Sequence, residues 1–143
     1  MRCRILSSIW LALDILRRTK SVDEASKLGW VDANGDAIVS ITLAAGETLD
    51  FVIDTGFDGE LLLPVTLGES LKLRFIGTRD CVVVGGGIVA NFTSLVEIDW
   101  LGTRHVADVL LSEGTDQLIG TALLQGTRLK IDYLANTVEI EKP

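Results

Sequence analysis

The apolar residues of the first twenty positions recur at intervals of three and four, which is the spacing of one face of a helix. The set that shares this face is Ile5, Leu6, Ile9, Trp10, Leu13 and Leu16. A capping box, Ser21-Val22-Asp23-Glu24, follows and predicts a second short helix that Gly29 can end. We therefore predict an N-terminal helical extension over residues 1–29, followed by one domain over residues 30–143.

After residue 30 the pattern changes to short apolar runs separated by polar or glycine-rich turns. Asn34-Gly35 is a strong hairpin signal, and Thr66-Leu67-Gly68-Glu69 resembles a capping box that starts a helical turn. The predicted strands are 37–43, 48–53, 60–64, 81–84, 88–100, 105–111, 128–133 and 137–141, with helical turns at 67–71 and 121–124. Many short strands with only brief helices predict an all-β, barrel-like domain.

Composition narrows the function classes. A chain of 143 residues with 48% hydrophobic content and two prolines can bury a core and is not typical of disorder. Its formal net charge of −7 disfavours nucleic-acid binding, because phosphates require a basic face. We expect no nucleic-acid partner.

The sequence gives little indication of a metal site or of a serine or cysteine nucleophile. Cys3 and Cys81 form no Cys-x-x-Cys motif, and no histidine cluster is present, so we expect no metal and no cofactor. His105 is the only histidine, and any Ser-His or Cys-His mechanism would depend on it. We interpret it as a plain surface or strand-edge histidine.

The strongest chemical signal is an apolar run, Phe51-Val52-Ile53, that ends abruptly at Asp54, Thr55 and Gly56. A carboxylate at the end of a buried strand is costly unless it is hydrogen-bonded or has a chemical role. The simple alternative is a structural turn in which the acid caps its own backbone. A second apolar run, Leu118-Ile119, ends at Gly120 and adds to the signal.

Together, Asp54-Thr55-Gly56-Phe57-Asp58-Gly59 and Leu118-Ile119-Gly120 resemble two strands of the retroviral-type (retropepsin-like, clan AA) aspartic proteases, in their small bacterial single-domain form. The resemblance covers roughly residues 30–142. It implies a closed acid-protease-type β-barrel with a flap hairpin. It also implies a homodimer, because the chain has one Asp-Thr-Gly and catalysis needs two carboxylates.

The resemblance assigns roles to the residues of the motif. Asp54 matches the catalytic aspartate, Thr55 the threonine that reaches the partner's backbone, and Gly56 the glycine that substrate main chain approaches. Asp58 matches an acid that contacts substrate and pairs with an arginine in the retroviral enzymes. Thr121 occupies that arginine's position, so the pair is absent here.

Three further features follow from the same resemblance. Phe57 stands where the retroviral enzymes place a small residue, so it is expected to reshape the cleft. Gly85, Gly86 and Gly87 match the tip of the flap that closes over substrate. Leu118, Ile119 and Gly120 are expected to pack beside the acid motif and support it.

The expected function is that of an aspartic endopeptidase acting as a homodimer, in which water is activated between two Asp54 carboxylates and cleaves a peptide or protein substrate. An alternative from another class is a catalytically inactive retropepsin-fold module for dimerisation or peptide binding. Phe57 and Thr121 keep this alternative open.

The N-terminal extension has several interpretations. It can dock on the domain, a partner chain or a membrane surface, or act as a pro-segment that masks the site. Its basic start is similar to a signal peptide, but Asp14 interrupts the apolar run and no small-residue cleavage site follows. The run is also too short to span a bilayer. We therefore expect a cytoplasmic protein.

Overall fold

The computed structural model of the chain describes residues 25–143. The predicted helix of the first twenty residues and the capping box at residues 21–24 lie outside the described part. Within it, no helix is long and apolar enough to cross a membrane.

The expectation that a second helix would end at Gly29 is wrong for the described residues, which form strand β1 over Ser26–Val31. Gly29 pairs with Val138 on one side and Val39 on the other. A Cβ at residue 29 would overlap the carbonyl oxygen of Ile38, so this glycine serves close strand packing instead of ending a helix. Strand β1 crosses the predicted boundary between residues 29 and 30, and the division of the chain there stays a prediction.

Nine further strands and two short helices complete the described chain. The strands are β2 (Ala37–Thr42), β3 (Thr48–Ile53), β4 (Leu61–Pro64), β5 (Gly77–Val82), β6 (Ile88–Trp100), β7 (Thr103–Ser112), β8 (Leu118–Ile119), β9 (Arg128–Asp132) and β10 (Thr137–Glu141). The helices are Val65–Ser70 and Thr121–Leu124. The first helix begins directly after Pro64 with no side-chain cap, so the capping box expected at Thr66 is wrong.

The strands form one ten-stranded sheet in the order β5-β6-β7-β4-β8-β3-β2-β1-β10-β9. All neighbours are antiparallel except two parallel pairs, β3 with β8 and β4 with β7. The predicted all-β class is confirmed, but the predicted closure of the barrel is wrong. Strand β5 pairs only with β6 and β9 only with β10, so the sheet stays open, although an isolated bridge joins Leu43 to Ile98.

The core follows from strict alternation along the central strands. In β2 the buried positions are Ala37, Val39 and Ile41, and their neighbours are half-buried. The largest fully buried side chains include Phe51, Leu61, Leu63, Ile98 and Ile119. Four of these belong to β3, β4 and β8, so the core fixes the strands from which the candidate site is built.

The predicted glycine-tipped hairpin is present as β5 and β6. Gly85 and Gly86 have φ values of 97° and 85°, a backbone conformation that residues with a side chain rarely adopt. The tip is closed by two hydrogen bonds of 2.9 Å, from the Val83 N–H to the Gly87 carbonyl and from the Gly86 N–H to the Val83 carbonyl.

Candidate active site

Residues 54–60, which we call the acid loop, connect the end of β3 to the start of β4. The Asp54 N–H donates to the carbonyl of Ile119 at 2.9 Å, which ties the start of the loop to β8. The Phe57 N–H donates to the Asp54 carbonyl at 3.1 Å and closes a tight turn. The loop is therefore anchored to β8 at its start, and its change of direction is closed by its own hydrogen bond.

The Asp54 carboxyl group is half-buried, and its Oδ1 accepts the Gly56 N–H at 2.8 Å. This is the contact that the simple alternative, an acid capping its own backbone, requires. The contact also fixes the orientation of the carboxyl group at the end of β3. Thr55 and Gly56 are exposed beside it, so this surface of the single chain is open.

Residues 119–122 hold the acid loop from the other side. Gly120, Thr121 and Ala122 donate their N–H groups to the carbonyls of Glu60, Phe57 and Gly59 at 3.0, 2.8 and 3.2 Å. Strand β8 runs parallel to β3 and antiparallel to β4, so it lies between the two strands that flank the loop. The structure thus places Leu118, Ile119 and Gly120 beside the acid motif.

Phe57 packs against its own loop. Its ring occupies the space that a side chain at Gly59 or Gly120 would need, since a Cβ on Gly120 would lie 2.6 Å from Phe57 Cδ1. The phenyl ring therefore fits here because Gly59 and Gly120 have no side chains. Phe57 itself is half-buried.

Asp58 is exposed, and the position of its expected arginine is filled by Thr121. The Thr121 hydroxyl donates to the Phe57 carbonyl at 3.3 Å, so this residue braces the loop backbone. A different arginine, Arg79, is influenced by Asp58. The pKa of Arg79 is raised chiefly by Asp108, with a smaller contribution from Asp58. Arg79 lies in β5, and sequence reasoning did not single it out.

A second missed cluster centres on Glu60. His105 Nε2 lies 2.7 Å from Glu60 Oε1, and Glu60 Oε2 accepts the Asp108 N–H at 2.6 Å. The interpretation of His105 as a plain edge histidine is therefore incomplete, because its partly exposed ring has a carboxylate partner. The two residues are 45 positions apart, and no local pattern in the sequence connects them.

Gly85, Gly86 and Gly87 lie at the exposed tip of the β5–β6 hairpin, and several large apolar side chains on its strands are also exposed. These are Val82, Val83, Val84, Ile88, Val89 and Phe92. At the base of the hairpin, the rings of Phe75 and Phe92 stack with centroids 5.1 Å apart. Several large apolar side chains exposed on one hairpin are typical of a region that contacts a partner or a ligand.

Two cavities of the described chain do not include Asp54. One, of about 380 Å³, is lined by Glu60, Trp100, His105 and Lys142 among others, and the second, of about 430 Å³, by Leu43, Leu71 and Leu95 among others. Residues 25–143 contain no group of three or more His, Cys, Asp or Glu side chains that could hold a metal ion.

No family model and no curated protein sequence matches the chain. Among solved structures, it is similar to a retropepsin-like aspartic protease from Rickettsia conorii, with a TM-score of 0.57 and 16% identity over 80% of this chain and 89% of that one. It is also similar to EIAV protease complexed with the inhibitor HBY-793, with a TM-score of 0.55 and 22% identity over 66% of this chain and 89% of that one. At these identities the likeness shows the fold, which is retropepsin-like.

Proposed function

We propose that this chain, whose fold is retropepsin-like, is an aspartic endopeptidase that acts as a homodimer. The observation that carries the proposal is the Asp54 carboxyl group, held at the end of β3 by the turn to Gly56 and by the bond from its own N–H to Ile119. The described chain offers one such carboxyl group. Carboxylate-catalysed peptide hydrolysis needs two that face one water, so the second must come from another copy of the chain.

In such a dimer the chemistry follows from the closeness of two equivalent acids. Two carboxylates a few ångströms apart cannot both ionise, so the pair shares one proton. The ionised Asp54 accepts a proton from the attacking water, and the protonated one donates a hydrogen bond to the scissile carbonyl. Because the shared proton is required, cleavage is fastest below neutral pH.

The open surface of the single chain supports a shared site. Thr55 and Gly56 are exposed next to Asp54. A two-fold axis near these residues would bring both acid loops together across one isologous interface. Thr55 would then contact the backbone of the second copy.

The substrate in this proposal is an extended peptide or an unstructured segment of a protein. The β5–β6 hairpin would close over it, with Gly85, Gly86 and Gly87 at the moving tip and apolar side chains along the strands. Closure excludes water and holds the peptide by main-chain hydrogen bonds.

The test compares Asp54→Asn with Asp99→Asn, which removes the same charge from an exposed position near the end of β6, away from the acid loop. Cleavage of an unstructured protein at mildly acidic pH is expected to fall at least about a hundredfold in Asp54→Asn and to be unchanged in Asp99→Asn. Circular dichroism should show the same fold for both. A statine-type peptide should bind the unsubstituted chain and not Asp54→Asn. Equal cleavage by both variants would overturn the proposal.

A further inference from the structure

Glu60, the last residue of the acid loop, bonds to Gly120 through its backbone carbonyl and to β7 through its carboxylate. Its carbonyl accepts the Gly120 N–H at 3.0 Å, which is one of the bonds that brace the loop. Its carboxylate accepts the Asp108 N–H at 2.6 Å and bonds to His105 at 2.7 Å. Hydrogen bonds to an ionised carboxylate are about twice as strong as neutral ones, so Glu60 is firmly held on β7.

The position of Glu60 in the sheet explains this contact. The pairing of β4 with β7 begins at Leu61 and Val109. One residue earlier, the Glu60 carboxylate takes the Asp108 N–H where strand pairing has not yet begun. The side chain of Glu60 is largely shielded from solvent, with 19% exposed, so salt screens this bond less than a surface pair.

Asp108 extends the connection to the hairpin. While its N–H is bound by Glu60, its carboxylate binds Arg79 in β5, with 2.9 Å between Arg79 Nη2 and Asp108 Oδ2. Strand β5 is at the edge of the sheet and pairs only with β6. The Arg79 side chain therefore attaches β5 directly to a strand that β5 does not pair with.

We propose that Glu60, Asp108 and Arg79 are positioning residues that couple the β5–β6 hairpin to the acid loop. Movement of β5 displaces Arg79 and with it Asp108, and Asp108 holds the Glu60 carboxylate. The Glu60 carbonyl in turn holds Gly120, which lies against the acid loop. A change in the position of the hairpin would therefore shift Asp54 through Arg79, Asp108 and Glu60, none of which takes part in the turn from Asp54 to Phe57.

The charges of the acid loop agree with this arrangement. Asp108 chiefly raises the pKa of Arg79, and Asp58 of the acid loop adds a contribution smaller than those of Asp108 and Cys81.

Hydrogen exchange tests the coupling without any need for cleavage. Arg79→Met removes the ion pair to Asp108, and Arg128→Met is the matched control, because it removes the Arg128–Glu141 pair of 2.7 Å between β9 and β10. In Arg79→Met, hydrogen exchange of the Gly120 and Asp54 amides is expected to become up to about fivefold faster. This is the largest effect expected from the loss of an exposed ion pair. In Arg128→Met the same amides should keep their rates. Equal rates at Gly120 in both variants would overturn the coupling.

A double-mutant cycle tests the consequence for catalysis, which rests on the proposed function. Arg79→Met, Glu60→Gln and the double variant are compared in kcat/KM for a peptide and in denaturant unfolding. If the three residues act as one connection, the loss in the double variant is smaller than the product of the single losses. Fully multiplicative losses in kcat/KM would contradict the coupling. Absence of cleavage by the unsubstituted chain would instead count against the proposed function and leave the exchange result as the measure of the coupling.

Discussion

Gly120 and Gly59 lie in direct backbone contact, and a Cβ atom on Gly120 would overlap the carbonyl oxygen of Gly59. The same Cβ would lie 2.7 Å from the carbonyl oxygen of Phe57. The φ of Gly120 is −101°, so its backbone conformation does not require glycine. Lack of space is the reason for glycine here, because a Cβ would meet both the backbone of the acid loop and the Phe57 ring.

We therefore predict that Gly120→Ala displaces the acid loop. Overpacking at a site of this kind typically costs about 1–3 kcal/mol in the free energy of unfolding. Denaturant unfolding measures that cost, and peptide cleavage should fall with it, since Asp54 is bonded to the residue before Gly120.

Gly114→Ala is the matched control, because a Cβ there would meet its nearest neighbour, Ser112 Oγ, at an ordinary 3.6 Å. Its effect on unfolding should stay within about 0.5 kcal/mol. If the two alanine variants were equally stable, the contact between Gly120 and Gly59 would not be what fixes the loop.

The sequence predicts those structural features that depend on residues adjacent in the chain. The strand at residues 37–43 and the glycine-tipped hairpin are local patterns, and the structure has β2 over Ala37–Thr42 and the β5–β6 hairpin at those places. The prediction at Gly29 was wrong because the sequence alone does not distinguish a glycine that ends a helix from a glycine at a close contact between strands. The register that makes Ile38 its neighbour is set by tertiary structure.

Features that depend on distant pairs could not be predicted. Glu60 and His105 are 45 residues apart, and Arg79 and Asp108 are 29 apart, with no motif to connect them. Closure of the barrel likewise depends on whether the two edge strands meet, and a pattern of short strands does not determine that.

A second prediction concerns association of the proposed dimer. Thr55 is exposed in the single chain, and in the proposed dimer its hydroxyl binds the backbone of the second copy. Thr55→Ala should raise the dimer dissociation constant roughly tenfold, because a symmetric interface loses the bond twice. Sedimentation velocity over a concentration series measures this. Thr55→Ser keeps the hydroxyl and should restore most of the affinity, whereas identical dissociation constants in all three chains would rule out the assigned contact.

A third prediction separates two neighbouring glycines at the hairpin tip. Gly86 has a φ of 85° with no atom near a would-be Cβ, whereas a Cβ on Gly87 would only touch Val83 Cγ2 at 3.5 Å. Gly86→Ala should therefore strain the turn by about 1–2 kcal/mol, and Gly87→Ala should not. Hydrogen exchange of the Val83 amide, which donates to the Gly87 carbonyl, reports the difference. Similar exchange in both variants would show that the tip relaxes into another turn.

The last prediction follows from Lys27, whose pKa is lowered by burial against a smaller opposing effect of Asp99. Between the lowered pKa of the folded chain and the ordinary value of 10.5, the unfolded chain binds more protons than the folded one. The free energy of unfolding therefore rises with pH across that alkaline range and levels off above it. Below the lowered pKa, both states carry the charge and the cost of burying it is fully present.

Lys27→Met removes this cost, so the variant should be more stable than the unsubstituted chain at neutral pH, and its stability should lose the alkaline rise. Lys130→Met, at an exposed position of β9, is the control and should keep the rise. Urea unfolding at a series of pH values up to 10.5 provides the comparison. A profile for Lys27→Met that rises in parallel with that of Lys130→Met would mean that the alkaline rise comes from a group other than Lys27, and would contradict the prediction.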